Sequence, residues 1–186
     1  AIRSRGLGDV YKRQVLIIHS KNARKLLAEV SSKIYNKKPT NLIAITGTNG
    51  KSSVADFYYQ ILKFNNRKVA SIGTLGVKSN NKYINLSNTT TDPIQLGKIL
   101  NYLKNQKVDD VILEASSHGL SQNRLDGLKF NSGIFTNLSQ DHLDYHKNLK
   151  DYLIAKLYLF DKLLSIKGNV IVCLLYTSDA ADDVHR

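Results

Sequence analysis

The predicted fold depends on one stretch, Ile43-Ala44-Ile45-Thr46-Gly47-Thr48-Asn49-Gly50-Lys51-Ser52-Ser53. It begins as an apolar run, typical of a buried strand, and then turns at two glycines. Val54, Phe57, Tyr58 and Ile61 follow at helical spacing, which predicts a helix with an apolar side. A strand that turns directly into a helix leaves free backbone N–H groups beside the positive end of the helix dipole. The turn is therefore predicted to bind an anion.

This turn has the composition of a phosphate-binding loop. Gly47 and Gly50 let the backbone curl tightly, Lys51 can reach terminal phosphates, and the Ser52 hydroxyl is placed to ligate Mg²⁺. The alternative is a tight turn whose lysine simply lies in solvent. Strand, turn, Gly-Lys-Ser and helix occur together here, and that context favours an ATP or GTP site.

Length and composition indicate one globular domain. The chain has 186 residues, of which 42% are apolar, so it can bury a substantial core. No apolar run is long enough to span a bilayer and no signal-peptide pattern begins the chain, so we expect a cytoplasmic protein without membrane partners. The single cysteine, Cys173, cannot form an internal disulfide, and no Cys/His cluster suggests structural zinc.

The formal net charge of +12 could indicate nucleic-acid binding. However, the lysines are dispersed, and no basic run is interleaved with aromatic residues as single-strand binding requires. We therefore expect no nucleic-acid partner, and a basic surface would also suit anionic small molecules.

The two ends are expected to lie outside the fold. Residues 1–14 and 173–186 resemble translated sequencing-adapter read-through, although ordinary frayed termini are the alternative, and little order is expected in either case. Between them, a short strand is predicted over 15–18 and a helix over 22–35.

Strands and helices are predicted to alternate along the rest of the chain. Strands are expected at 68–73, 108–114 and 133–137, and Asp92-Pro93 is a helix start. Loops are expected at 73–76 and 79–88, the second with a small hairpin around Tyr83-Ile84. This alternation predicts an α/β fold of the P-loop type, with a doubly wound parallel sheet. Ligands of such sheets bind beyond the carboxyl ends of the strands.

Several polar groups follow predicted strands at that edge. Glu114 ends an apolar strand and is a second candidate Mg²⁺ ligand, because hard oxygen donors suit this ion. His142 and His146 lie with two aspartates in the segment 141–146, which could be either a metal cluster or a hydrogen-bonded loop. Ser116 and its neighbours are more consistent with substrate contacts or turn bonds than with a nucleophile.

The next predicted helix has Leu153, Leu157, Phe160 and Leu164 on one stripe, with Lys156 on its border. A lysine at an apolar margin loses its charge more readily, and a neutral amine can take up CO₂ to form a carbamate. From spacing alone, a surface lysine with a partly buried stem is the favoured interpretation.

Together these motifs resemble the Mur ligase family. The resemblance extends from about residue 18 to about residue 164, and it is closest to the branch that adds the third amino acid of the peptidoglycan stem. On this basis residues 15–40 would be the end of an N-terminal domain with a linker helix, and 41–172 part of a central ATP-binding domain. The motifs are Thr46-Gly47-Thr48-Asn49-Gly50-Lys51-Ser52-Ser53, Asn88-Thr89-Thr90, Glu114-Ala115-Ser116-Ser117-His118-Gly119-Leu120, Asn137-Leu138-Ser139-Gln140-Asp141-His142-Leu143-Asp144-Tyr145-His146 and Ala155-Lys156.

The resemblance implies an ADP-forming amide ligase that uses ATP and Mg²⁺. Its partners would be UDP-MurNAc-L-Ala-D-Glu and a free amino acid, either diaminopimelate or lysine, and the protein would be a monomer. The resemblance also implies four groups of site residues. The catalytic residues would be Lys51, Glu114, His142 and Lys156, and the metal would be held by Ser52, Glu114, His142 and carbamylated Lys156. The nucleotide would be bound by Gly47, Thr48, Asn49, Gly50, Lys51, Ser52 and Ser53. The muramoyl dipeptide would be bound by Asn88, Thr89, Thr90, Ser116, Gln122 and Arg124.

Two other functions stay open. One is a related amide ligase of the folylpolyglutamate or cyanophycin type, which shares the phosphate loop but not the Ser-Ser-His-Gly-Leu and Asp-His-Leu-Asp-Tyr-His pair. The other is a nucleotide-binding module without ligase chemistry, although no guanine-reading Asn-Lys-x-Asp tetrad is present. Because the family's adenine contacts and amino-acid pocket would lie beyond residue 172, this polypeptide is expected not to ligate alone.

Overall fold

The fold is described here from a computed structural model, which covers residues 18–79, 82–142 and 144–173. Most of the predicted strand over 15–18 and nearly all of the two ends thought to be foreign lie outside the described residues. Ile18, the last residue of that predicted strand, has no regular secondary structure.

The helices and strands that the sequence predicts between residues 22 and 137 are present in the predicted order, and the structure adds a short helix at 117–121 and a strand at 164–172. A π-helical turn, Leu159–Leu163, joins the last helix to the last strand. The helices are α1 (Ala23–Ile34), α2 (Lys51–Phe64), α3 (Pro93–Asn105), α4 (Ser117–Ser121) and α5 (Leu149–Tyr158), and the strands are β1 (Asn41–Thr46), β2 (Val69–Gly73), β3 (Gly76–Ser79), β4 (Lys82–Ile84), β5 (Asp110–Glu114), β6 (Phe130–Phe135) and β7 (Leu164–Val172).

The strands form one sheet in the order β4-β3-β2-β5-β1-β6-β7. The five strands from β2 to β7 in this order are parallel, which confirms the predicted parallel sheet. The hairpin of β3 and β4 adds an antiparallel edge next to β2, so the sheet is mixed. Its existence was predicted, but its first strand begins within the segment that was expected to be loop.

The central strand β1 is buried on both faces, as a continuous apolar run requires. Leu42 and Ala44 pack into a core shared with α3, whereas Ile43 and Ile45 pack on the opposite face with Ala55 of α2. Side chains alternate along a strand, so the two faces of β1 bind different helices. The sheet is therefore covered on both sides, as in a doubly wound fold.

Helix α2 is confirmed, but its buried face differs from the predicted one. Ala55 and Tyr59 are buried, whereas Phe57 and Ile61 are 61% and 60% exposed. Val54 and Tyr58 of the predicted stripe pack against the core beside Ala55, whereas Phe57 and Ile61 project away from the sheet. Within the described residues, no helix is long and apolar enough to cross a membrane.

The predicted stripe of α5 is only partly right, because Phe160 and Leu164 pack against the core but the most buried side chains are others. The buried residues of this segment are Tyr152, Lys156, Leu159 and Leu163, while Leu157 is exposed. The helix ends at Tyr158, and the predicted stripe's last member, Leu164, begins β7. The hydropathy pattern predicted the wrong buried face because Tyr152 and Lys156 are polar residues whose polar atoms form hydrogen bonds inside the fold.

Candidate active site

The loop between β1 and α2 requires glycine at two positions. Gly47 has φ +146°, and a Cβ there would lie 1.8 Å from Thr136 Oγ1. Gly50 caps α2 in the left-handed region at φ +81°, and nothing lies within 4 Å of the Cβ it lacks. The first glycine therefore allows close packing on the end of β6, and the second opens the N-terminus of α2 toward free space.

A cavity of about 280 Å³ lies above this loop. It opens at the carboxyl ends of β1, β2 and β5, where the fold class predicts a ligand. Its size and polar lining suit a polyphosphate chain. The lining residues are Thr48, Asn49, Gly50, Lys51, Ser52, Ser53, Thr74, Thr89, Glu114, Ser116 and His142.

Glu114 is fixed at the floor of the cavity. Register pairs Ile45 of β1 with Glu114 of β5, so the carboxylate emerges beside the phosphate loop. It is 2% exposed, and Oε2 accepts hydrogen bonds from Ser52 Oγ at 2.9 Å and Thr74 Oγ1 at 3.1 Å. Oε1 accepts from the Thr74 backbone N–H at 3.1 Å. A Cβ on Gly73 would lie 2.1 Å from Oε1, so this glycine makes room for the acid.

Thr74 was missed as a functional residue, although it follows β2 at the same edge of the sheet. The placement rule that selected Glu114 could have selected it too. Its hydroxyl and N–H hold the carboxylate that faces Ser52. A hydroxyl oxygen and a carboxylate oxygen in contact are a donor set that Mg²⁺ prefers, so Ser52 and Glu114 fit this ion.

Lys51 lies folded over its own loop. Its Nζ donates to the carbonyl oxygens of Gly47 at 2.9 Å and Thr48 at 2.8 Å. Burial lowers the pKa of this amine, and the nearby charges of Glu114 and Asp141 oppose the shift. The amine is therefore within electrostatic reach of the acid predicted to share the nucleotide site.

The end of β6 holds the phosphate loop from the opposite side. The Thr48 N–H donates to Asn137 O at 3.0 Å, and the Asn49 N–H donates to Asn137 Oδ1 at 2.9 Å. The Ser139 N–H donates to Thr48 Oγ1 at 3.0 Å, and Thr136 Oγ1 donates to Asn49 O at 2.7 Å. These loop contacts were not predicted, although the three residues follow a strand at the same edge.

The Asp/His segment after β6, as far as its residues are described, does not form a metal cluster. In the described part of the chain, no three His, Cys, Asp or Glu residues are arranged to hold a metal ion. His142 has φ +52° and a side chain that is 47% exposed, and its Nε2 lies 3.6 Å from Asp141 Oδ2. Its ring packs edge-on against His118 at 5.1 Å between centroids. The hydrogen-bonded loop is thus the better description of this segment.

His146 is buried instead of facing the cavity. Its Nε2 has no hydrogen-bond partner among the described residues, and its ring packs against Tyr152 at 5.1 Å. Burial, followed by the nearby His118, lowers its pKa, which favours the neutral ring.

Lys156 lies at the centre of the buried face of α5, not on its border. The residue is 1% exposed, and its Nζ donates to Gly47 O at 2.7 Å. Burial, followed by the charge of Lys51, lowers its pKa to about 7, while Asp141 opposes the shift. Among the described contacts no hydrogen bond joins this amine to His142. The prediction of a surface lysine is wrong, because a loop carbonyl and the face of Tyr152, 4.1 Å from Nζ, receive the amine.

The residues predicted to bind the muramoyl dipeptide divide into two groups. Thr89 and Ser116 line the cavity, and Thr89 Oγ1 lies 3.0 Å from Thr74 Oγ1. Thr90 is buried, where its hydroxyl donates to Glu114 O at 2.9 Å and accepts from the Ser116 N–H at 2.9 Å. Thr90 therefore shapes the end of β5.

The other three are not among the residues that line the cavity. Arg124 donates to Gln122 Oε1 from Nε at 3.1 Å and from a terminal nitrogen at 2.8 Å, and to Thr90 O at 2.5 Å. Asn88 is exposed, and its amide lies 3.2 Å from Ser87 Oγ. The Arg124 guanidinium, which was expected to bind the muramoyl dipeptide, thus has protein partners.

Comparison with known protein families assigns the chain. The model of the Mur ligase middle domain matches residues 45–182, which include the phosphate loop, Glu114 and Lys156. The chain belongs to the Mur ligase family. The resemblance drawn from its motifs is thereby confirmed.

Individual relatives agree with this assignment. The UDP-N-acetylmuramoyl-L-alanyl-D-glutamate–2,6-diaminopimelate ligase of Brucella melitensis is 44% identical over 150 residues, which cover 81% of this chain and 31% of the relative. A solved structure of a ligase with that name superposes with a TM-score of 0.70 at 30% identity, covering 83% of this chain and 32% of the other. The chain thus spans about a third of the length of these relatives.

The fold is also shared with more distant ligases. A Mycobacterium tuberculosis folylpolyglutamate synthase, solved with ADP and AMPPCP, superposes with a TM-score of 0.60 at 15% identity, covering 81% of this chain and 41% of that one. At this identity the likeness concerns the fold alone.

Proposed function

We propose that this chain is the nucleotide-binding part of an ADP-forming ligase that adds the third amino acid to UDP-MurNAc-L-Ala-D-Glu in peptidoglycan synthesis. The observation that carries the proposal is the contact of Ser52 with Glu114 beside a phosphate loop, inside a polar cavity of about 280 Å³. The names of the relatives support the choice of substrate.

The loop residues would bind ATP through its phosphates. Residues 50–53 at the start of α2 line the cavity, where their backbone N–H groups would bind phosphate, and Lys51 would exchange its two carbonyl partners for phosphate oxygens. Ser52 and Glu114 would hold Mg²⁺, which neutralises charge on the β and γ oxygens when bound. These residues would stabilise the charge that develops as the phosphoryl group moves.

The reaction would proceed in two substitutions. An oxygen of the D-glutamate carboxylate forms a bond to the γ-phosphorus, and ADP leaves. The amine of the incoming amino acid then attacks the acyl carbon, and inorganic phosphate leaves as the amide forms. Thr89 and Ser116 are the predicted dipeptide contacts closest to this chemistry, because both line the cavity.

Lys156 and His142 would support a second Mg²⁺ only after Lys156 has been converted to a carbamate. Burial already favours the neutral amine, which is the form that adds CO₂ to give a carbamate. Such a carbamate would place two oxygens beside the phosphate loop. We retain this pair, the remaining dipeptide contacts (Asn88, Thr90, Gln122 and Arg124), cytoplasmic location and a monomeric state as predictions.

The test uses a complete ligase. Residues 18–172 replace the matching segment of the Brucella melitensis relative, and phosphate release is measured with ATP, UDP-MurNAc-L-Ala-D-Glu and diaminopimelate. We expect release that requires both the dipeptide and the amine, and that is lost in Lys51→Ala. Phosphate release that instead requires a folate and glutamate, or that does not depend on the dipeptide, would overturn the proposal.

A further inference from the structure

Helix α5 holds the phosphate loop with two side chains that lie one helical turn apart. Tyr152 and Lys156 share one face of the helix, as residues four apart do. Lys156 Nζ donates to the carbonyl oxygen of Gly47 at 2.7 Å, and the Tyr152 hydroxyl donates to Thr48 Oγ1 at 3.3 Å. The two residues of the helix therefore contact two consecutive residues of the loop, and both are 1% exposed.

Tyr152 uses two parts of its side chain. The ring lies 4.1 Å from Lys156 Nζ and fixes where that amine can lie. The Tyr152 hydroxyl is hydrogen-bonded to the Thr48 hydroxyl. The Thr48 hydroxyl also accepts a hydrogen bond from the Ser139 N–H and donates one to the Ser139 carbonyl oxygen. Thr48 Oγ1 is thus the point at which α5 and the segment after β6 both hold the loop.

Tyr152 itself lies outside the set of residues that line the nucleotide cavity. Any effect on nucleotide must therefore pass through the neighbours of Tyr152, which are Thr48, Lys156 and the cavity-lining His142, whose ring centroid lies 6.1 Å from that of Tyr152. A phosphate loop presents its backbone N–H groups usefully only when its conformation is set before binding, because ordering it later costs affinity. The contact with Thr48 supplies such a constraint from outside the cavity.

We propose that Tyr152 is a positioning residue, whose phenol holds the phosphate loop at Thr48 in the conformation that accepts nucleotide. The inference rests on the nucleotide site proposed above. It assigns to α5 a role in nucleotide affinity in addition to the role predicted for Lys156.

The test compares Tyr152→Phe with Tyr158→Phe in this chain. Tyr158 is a matched control, because it lies on the same helix and its hydroxyl donates to Asp126 Oδ1 at 2.8 Å, away from the loop. Affinity for Mg·ATP is measured by NMR titration, and amide hydrogen exchange is followed at residues 47–50 without nucleotide. Thermal unfolding checks that each variant is folded.

Tyr152→Phe is expected to weaken Mg·ATP binding about threefold to tenfold, the range for loss of one hydrogen bond, and to speed exchange in the loop. Tyr158→Phe should leave both unchanged. Adding Tyr152→Phe to Thr48→Val should cost little further affinity, because both remove the same bond. Unchanged affinity and loop exchange in Tyr152→Phe would overturn the inference, whereas absence of binding by the unmodified chain would overturn the nucleotide site itself.

Discussion

The two candidate metal sites, which form two corners of the nucleotide site, differ in whether their side chains are already in contact with each other. In the Ser52–Glu114 corner (Ser52, Thr74 and Glu114) the carboxylate is buried and accepts three hydrogen bonds. In the His142–Lys156 corner the imidazole is about half exposed at a positive φ, and the amine is bonded to the phosphate loop. The first corner is assembled, and the second is not.

The backbone explains this difference. Parallel pairing of β1 with β5 fixes Glu114 beside the loop, and Gly73 leaves space for its side chain. His142 and Lys156 come from a loop and a helix that the sheet register does not constrain. A site held by strand register can thus be ready for a metal, whereas the other corner needs a new group on Lys156 before it has comparable ligands.

The largest effect is expected from breaking the assembled corner. Glu114→Gln keeps the shape of the side chain but removes the charge that would hold Mg²⁺. We predict that Mg²⁺ then no longer strengthens ATP binding, with a loss of about tenfold to hundredfold, as expected for a charged hydrogen-bonded group. Isothermal titration with and without Mg²⁺ measures it. Asp161→Asn, an exposed acid-to-amide change, is the control and should keep the full Mg²⁺ effect.

A smaller effect is expected from Lys156, and it depends on pH. The folded-state pKa is about 7, against 10.5 for an ordinary lysine. Between these values the unfolded chain binds more protons than the folded chain, so the free energy of unfolding contributed by this group rises with pH from about 7 to 10.5. Lys156→Met should remove that rise.

Urea unfolding at pH 7 and pH 10 measures this contribution as a difference between the two proteins. The control is Lys162→Met, whose exposed amine pairs with Asp161 and should leave the pH dependence as it was. An equal pH dependence in Lys156→Met and the unmodified chain would contradict a buried amine whose pKa is lowered to about 7.

The smallest effect is expected at His142. Asn tolerates a positive φ, so His142→Asn removes the imidazole without straining the backbone. The change should alter the free energy of unfolding by less than about 0.5 kcal/mol, as at most surface sites, and leave Mg·ATP affinity nearly unchanged. A large loss of affinity in the same titration would show that the second corner is assembled in this chain.

The sequence predicted the features that depend on the strands of the sheet better than those that depend on helix α5. The positions of β1, β2, β5 and β6 and the phosphate loop followed from apolar runs and two glycines, and Glu114 followed from its place at a strand end. The face of α5 did not, because hydropathy counts Lys156 as polar and cannot show that Gly47 O and the Tyr152 ring receive its amine. Strand β7 was also missed, because Leu164 continued an apparent helical stripe.

NMR measurement of Mn·ATP binding is the most direct test of whether Ser52 and Glu114 already form a metal site. Mn²⁺ replaces Mg²⁺ at oxygen ligands and broadens NMR signals of nearby nuclei. We expect the amide signals of residues 47–53 and of Glu114 to broaden together, and this pattern to be lost in Glu114→Gln but retained in His142→Asn. Broadening centred on His142, or a pattern unchanged in Glu114→Gln, would contradict it.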